Sequence, residues 1–210
     1  MKVLHFSDLH IGYERYSKTT DLQTGLDDRI VDFLNVFDEL IDYAINEDVD
    51  LVLFAGDAFK TRNPTPTHLR EFSKRLLKLT DNDIPVVLVV GNHDIPAVKQ
   101  RATSLDIFPT MNIDKVTVID KLQLYTVETK NNGPIQILGL PWPRFGTFTT
   151  NIRKSNPKIK VEEITKSVVD LFDSNITKEL TKVDKNFPCI FTGHLSVMEA
   201  KTSTETLMSI

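Results

Sequence analysis

The sequence predicts an α/β fold in a single domain, on three observations. Short runs rich in Val, Ile, Leu and Phe, flanked by Asp, Gly or Pro, recur along the 210 residues. Longer segments of helical period separate the first three of them, and after Val116 closely spaced strand-like runs take over. Strand, helix, strand, helix, strand is the order of crossover units, which lay strands parallel and cover both faces of a sheet with helices.

Taken in order, Lys2 to Phe6, Asp50 to Ala55, Ile84 to Val90, Ile135 to Leu140 and Pro188 to Phe191 read as largely buried strands. Between the first two, Asp27 to Ile45 carries Ile30, Phe33, Leu34, Phe37, Ile41, Ala44 and Ile45 on one helical stripe, with Asp27 and Asp28 at its positive end. Thr67 to Leu79 repeats the pattern through Leu69, Phe72, Leu76 and Leu79, opened by Pro66 and a threonine able to cap. Val116 to Ile119, Leu122 to Val127 and Ile135 to Leu140, with a hairpin-type turn at Asn131, Asn132 and Gly133, predict a partly antiparallel second sheet. Pro141 to Pro157 reads as an irregular surface loop, and Val161 to Leu180 as a further helix.

A composition of 40% hydrophobic and 26% charged residues suits one large domain with a substantial core. Cys189 is the only cysteine, which excludes an intrachain disulfide and a thiolate metal cluster and suggests a reducing cytoplasm. The start, MKVLHFSDLH, has no apolar core of a signal peptide, and no stretch approaches the roughly 18 uncharged residues of a membrane span. A net charge of −4 gives no basic excess, and the lysines between Arg153 and Lys166, interrupted by Glu162 and Glu163, read as a solvated helix face. Bulk charge thus neither supports nor excludes a nucleic-acid substrate.

The chemistry collects where strands end. One run leads into Asp8, Leu9, His10; a second into Gly56, Asp57; a third into Gly91, Asn92, His93, Asp94; the last into Gly193, His194. In open α/β sheets the ligand crevice lies beyond the carboxyl ends of the strands, so residues far apart in sequence can meet there. Glycine before three of the clusters allows a tight backbone turn. In an extended segment residues i and i+2 share a side, so Asp8 and His10 can grip one ion. Asp57 is the natural bridging carboxylate, and Asn92 and His194 complete a second shell. Oxygen and imidazole donors without thiolate point to manganese, iron or zinc at a hydrolytic site, with manganese the first choice.

Two divalent ions about 3.5 to 4 Å apart stabilise both oxygens of an in-line phosphoryl displacement. The demand is large, since enzymes must remove on the order of 20 kcal/mol from the barrier of phosphate ester hydrolysis. His93 is assigned to catalysis, as proton donor to the departing 3′ oxygen, with Asp94 as a candidate to orient it. Each residue alone has a duller reading: Asp-x-His as a turn, His5 as a satisfied core histidine, His68 as a surface residue.

Together, Asp8-Leu9-His10, Gly56-Asp57, Gly91-Asn92-His93-Asp94 and Gly193-His194 resemble the calcineurin-like metallophosphoesterase superfamily. Within it, SDLHIG from Ser7, GDAFKTRNPTP from Gly56, VVGNHDIP from Val89 and TGHLSV from Thr192 resemble the SbcD-type nucleases of DNA double-strand-break repair. The resemblance implies a two-sheet sandwich flanked by helices and manganese-dependent 3′ to 5′ exonuclease and single-strand endonuclease activity. It also implies an SMC-like ATPase partner of the SbcC type. By position it puts Asp8 and His10 on one ion, Asp57 between two, Asn92 and His194 on the other, and His93 in catalysis.

Two departures stand out. The family's site is completed by a Gly-His-x-His element downstream, and this sequence reaches Ile210 without it, so residues 1–210 are expected to be a C-terminally truncated nuclease domain short of ligands. On the same reading the family's capping domain and ATPase-binding tail are expected to be absent from residues 1–210. Lys60 stands where the superfamily often has an Asp or His beside the catalytic histidine, and lysine cannot accept that proton. The family also dimerises through helices, which draws attention to Leu69, Phe72, Leu76, Leu105, Ile107 and Phe108. Two rival functions remain: a metallophosphoesterase acting on small or protein phosphate esters, and an inactive interaction module lacking the full ligand set.

Overall fold

The computed structural model describes residues 1–13, 19–20, 24–98, 101–155 and 159–195, without the side chains of residues 145–148 and 151. The first sheet has four parallel strands, in the order β1 (Val3–Phe6), β2 (Leu51–Phe54), β3 (Val86–Val89) and β4 (Val116–Ile119). The second runs β5 (Gln123–Glu128), β6 (Pro134–Leu140), β7 (Cys189–Gly193), with β5 antiparallel and β7 parallel to β6. Helices α1 (Asp28–Asn46) and α2 (Pro66–Thr80) are the crossovers of the first sheet, followed by the short α3 (Ile107–Thr110). Helices α4 (Phe145–Ser155) and α5 (Val161–Leu180) lie between β6 and β7.

Successive strand residues face opposite sides, so an all-apolar strand feeds two cores. Val52 and Phe54 of β2, with Val86 and Leu88 of β3, pack against Phe37 and Ile41 of α1 and Phe72 and Leu76 of α2. Leu51, Leu53, Val87 and Val89 pack instead against Val127, Ile135 and Ile137 of the second sheet. Helices α1 and α2 therefore cover one face of the first sheet only, and the second sheet covers the other, in place of the two helical faces expected from crossover order. Phe72 is the centre of the helical side, its ring within 6.0 Å of those of Phe37, Phe54, Phe59 and Phe108.

Several expectations are corrected. Val116 to Ile119 joins the first sheet, because Val116 and Val118 meet the helical core while Ile119 meets the core between the sheets. Residues 145–155 of the expected loop form α4, whose last turn places Arg153 and Lys154 at the negative end of the helix dipole. Strands β1 and β7 are not largely buried, since each has one neighbouring strand among the described residues. His5 lies in register with buried Leu53, yet on that edge it is exposed. His68 is buried: the chain after β1 folds back over the start of α2, bringing Gly12 against the His68 imidazole. The cap of α2 is Thr65, which accepts the His68 N–H, with Pro66 in the first turn.

The helical residues considered for dimerisation divide. Phe72, Leu76, Leu105 and Phe108 are core, Leu69 packs partly against them, and Ile107 is exposed. No described helix is long and apolar enough to cross a membrane.

Candidate metal centre

Beyond their last strand residues the segments after β1 and β2 stay zipped together. The N–H groups of Asp8, His10 and Ile11 donate to the carbonyls of Gly56, Asp57 and Ala58 at 2.9, 3.1 and 3.0 Å, and Lys60 N–H returns a bond to Ile11. This ladder brings Asp8 and His10 beside Asp57. Asp8, His10 and Asp57 all have left-handed backbone, with φ of 58°, 47° and 61°. A non-glycine residue there is uncommon, and such residues cluster where function over-determines the backbone. Asp8 and His10 thus converge from a coiled segment, not from the extended one expected, and His10 Nε2 comes to 3.5 Å from Asp8 Oδ1.

The segments after β3 and β7 arrive from the other side. The backbone N–H of His194 donates to the Leu140 carbonyl, and the His194 ring stands between two oxygens, Nδ1 at 2.7 Å from the Ala55 carbonyl oxygen and Nε2 at 2.9 Å from Asn92 Oδ1. Asp57 stands between the two groups. Its Oδ2 lies 3.7 Å from His10 Nε2 and its Oδ1 3.6 Å from His194 Nε2, while Oδ1 also accepts the His93 N–H at 2.8 Å. His10, Asp57 and His93 form one set with a ligating atom each within 4.8 Å of the others, and Asp8, Asp57 and His194 form a second. All six residues singled out in the sequence therefore meet in one place.

Separations of 3.5 to 3.7 Å are too long for hydrogen bonds. They suit donors that each sit about 2.0 to 2.2 Å from a shared cation. Nδ1 of His10 is buried without a hydrogen-bond partner among the described residues, so no protein acceptor holds this imidazole to one tautomer. The donor set fits a divalent metal. The His10 imidazole holds the Asp8 carboxyl below the usual carboxylate range, with Ser7 adding to the effect against partial burial.

His93 is oriented by a backbone group. Its Nδ1 lies 2.7 Å from the Lys60 carbonyl oxygen, which fixes Nδ1–H as donor and leaves Nε2 free. The missing Asp or His at position 60 is thus no obstacle, and the Lys60 ammonium sits over the Tyr13 ring, 5.4 Å from its centroid. Asp94 does not orient His93. Its fully buried carboxylate accepts the backbone N–H groups of Asp57, Ala58 and Gly91 at 2.9, 3.1 and 2.9 Å. Burial pushes the Asp94 carboxyl up and the Asp57 charge adds to this, while the three donors pull it down.

The carbonyls of Ala55 and Lys60 and the Trp142 ring, 5.9 Å from that of His194, are parts of the site that sequence reading missed. A carbonyl is common to every residue and leaves no mark in a sequence. Trp142 carried a signal, as the one tryptophan in a Pro-Trp-Pro run directly after a strand.

Parallel strands that end in clustered carboxylate, amide and imidazole donors define a divalent-metal hydrolase of phosphate esters. The chain belongs to the calcineurin-like phosphoesterase family, whose sequence model matches residues 1–198. It is similar to proteins named DNA double-strand break repair protein Mre11. That of Sulfolobus acidocaldarius is 29% identical over 205 residues, 93% of this chain and 49% of the relative. That of Saccharolobus solfataricus is 32% identical over 60% of this chain and 33% of the relative, and that of Thermoplasma acidophilum 40% identical over 44% and 23%. The chain spans half or less of the length of these curated relatives. A solved dimetal phosphatase from Danio rerio aligns at TM-score 0.36 and 14% identity over 65% of this chain and 43% of that one, too distant to bear on the site.

Proposed function

We propose that this chain is the metal-dependent nuclease domain of a DNA double-strand-break repair protein, cleaving phosphodiesters with 3′ to 5′ exonuclease and single-strand endonuclease activity. The observation that carries the reading is the Asp57 carboxylate, one oxygen toward His10 and the other toward His194, as a bridging ligand requires. In this reading Asp8 and His10 hold one ion, Asn92 and His194 the other, and manganese is the first choice for both. When bound, such a pair supplies charge stabilisation to an in-line displacement and hydroxide near neutral pH.

The remaining work falls to the chain's own groups. With Nδ1–H committed to the Lys60 carbonyl, His93 can hold a proton on Nε2 and release it to the departing 3′ oxygen. Asp94 holds the loops of Asp57 and Gly91 together, and the carbonyl of Ala55 fixes the ring of His194. The substrate is read from the likeness to relatives named for DNA double-strand break repair, together with the motifs after Ser7, Gly56, Val89 and Thr192.

An ATPase partner of the SbcC type and a homodimer belong to the same reading of the whole protein. For the dimer, Ile107 on α3 is the exposed candidate, and sedimentation showing only monomer at tens of micromolar would count against it. A DNA substrate and an exposed thiol at Cys189 suit the cytoplasm. The discriminating experiment compares turnover of linear duplex DNA with that of nucleotide monoesters in manganese. Preference for DNA is expected, and hydrolysis of monoesters alone would give the site to small phosphate esters.

A further inference from the structure

A cleft of about 520 Å³ opens beside the metal centre, between the ends of β3 and β6 and the last turns of α5. Its lining includes the apolar side chains of Val90 and Leu140 and the aromatic ones of Trp142 and Phe172. Trp142 is shared with the metal centre, since its ring also meets that of His194 edge-on. The backbone N–H of Trp142 donates to the Val90 carbonyl at 2.8 Å, which ties this segment to the end of β3 next to Gly91 and Asn92. Small-molecule sites have this character: about 300 to 1,000 Å³, mostly apolar, with a few polar groups at the rim.

The rim carries charge of both signs, with three cations and two carboxylates. Lys121, Arg144 and Lys178 line the cleft, and the Lys178 charge contributes to holding the Glu179 carboxyl below its ordinary value. Two carboxylates face them, Asp120 and Glu179. Glu179 is already engaged, accepting Lys182 Nζ and the Leu124 N–H. The cleft therefore joins aromatic side chains with cations, the pairing that single-stranded nucleic acid selects: bases stack on aromatic side chains while cations take the phosphates.

We propose that this cleft binds an unpaired nucleobase of the substrate strand on the departing 3′-oxygen side of the scissile phosphodiester, stacked on Trp142 and Phe172, its own 5′ phosphate held by Lys178 and Arg144. The substrate part of this inference rests on the nuclease reading above. The cleft itself makes a separate claim, affinity for a nucleotide without any metal.

Trp142 is the only tryptophan in the chain, so its emission reports the cleft directly. The experiment titrates the full chain with deoxyadenosine monophosphate in chelator, followed by tryptophan fluorescence, with deoxyribose 5-phosphate as the base-free control. Saturable quenching by the nucleotide and none by the sugar phosphate is expected. Phe172→Ala and, on the exposed surface, Lys178→Glu should each weaken it about fivefold or more. No saturable quenching, equal quenching by the base-free compound, or an unchanged midpoint in both variants overturns the proposal. Anisotropy of a labelled duplex and its hydrolysis in manganese separate the two claims. DNA cleaved with Trp142 silent removes the cleft alone, and a responsive Trp142 with DNA neither bound nor cleaved removes the nuclease reading alone.

Discussion

The carboxylate of Asp94 accepts the backbone N–H of Asp57 at 2.9 Å, joining two loops 37 residues apart without touching the reacting side of the site. Asp94 also takes the N–H groups of Ala58 and Gly91. Its removal strands three donors in a dry interior, each costing about 1 to 3 kcal/mol when left unsatisfied. Asp94→Ala should therefore lose roughly 3 kcal/mol or more in urea unfolding, and Asp94→Asn less, because an amide oxygen can keep some of the bonds. Unchanged stability in Asp94→Ala would mean that the loops are held by something else.

Gly91 makes room for Asp57. A Cβ at position 91 would stand 2.2 Å from Asp57 Oδ1 and 2.4 Å from its backbone nitrogen, so the carboxylate must move. Gly91→Ala is expected to weaken manganese binding on the order of 10- to 100-fold, the usual effect of disturbing the groups behind a ligand. Calorimetric titration measures it, and wild-type affinity in this variant would show that Asp57 is not where the metal binds.

Phe72 anchors the core that sets the first sheet against α1 and α2. Truncation to alanine should cost about 3 to 5 kcal/mol by urea denaturation. A loss of self-association with stability unchanged would instead return Phe72 to an interface.

Asp50 links the two sheets at their far end from the metal centre. Its buried carboxylate accepts the Lys2 N–H at 2.6 Å and the Asn132 amide at 2.7 Å, and Lys130 N–H reaches the Asp50 carbonyl. Burial opposes ionisation, but these donors and the N-terminal charge outweigh it and hold the carboxyl below its ordinary value. A folded pKa below the unfolded one contributes stability that is complete above the unfolded value, about pH 4, and lost as pH falls through the folded value. Unfolding free energy of the wild type should thus decline below about pH 4 more steeply than that of Asp50→Asn. Parallel profiles would exclude Asp50 as a source of acid sensitivity.

The positions of β2, β3, α1, α2 and α5 were legible because their apolar spacing is unambiguous, and the six site residues because each ends a strand or follows one. The route by which they meet was not legible. Left-handed backbone at Asp8, His10 and Asp57 depends on the ladder between two loops, which exists only once β1 and β2 are paired. His5 and His68 exchanged their expected environments for a similar reason. Exposure at an edge and burial under a returning loop are properties of topology, and a residue's own neighbours in sequence do not report them.

The proposed function requires Asp57 as the ligand shared by both halves of the site, with His93 beside the ions and not among their ligands. Manganese titration of the wild type, His93→Asn and Asp57→Asn by calorimetry tests this most directly. Binding that survives in His93→Asn and disappears in Asp57→Asn is the predicted result. Equal loss in both variants, or binding retained in Asp57→Asn, would contradict it.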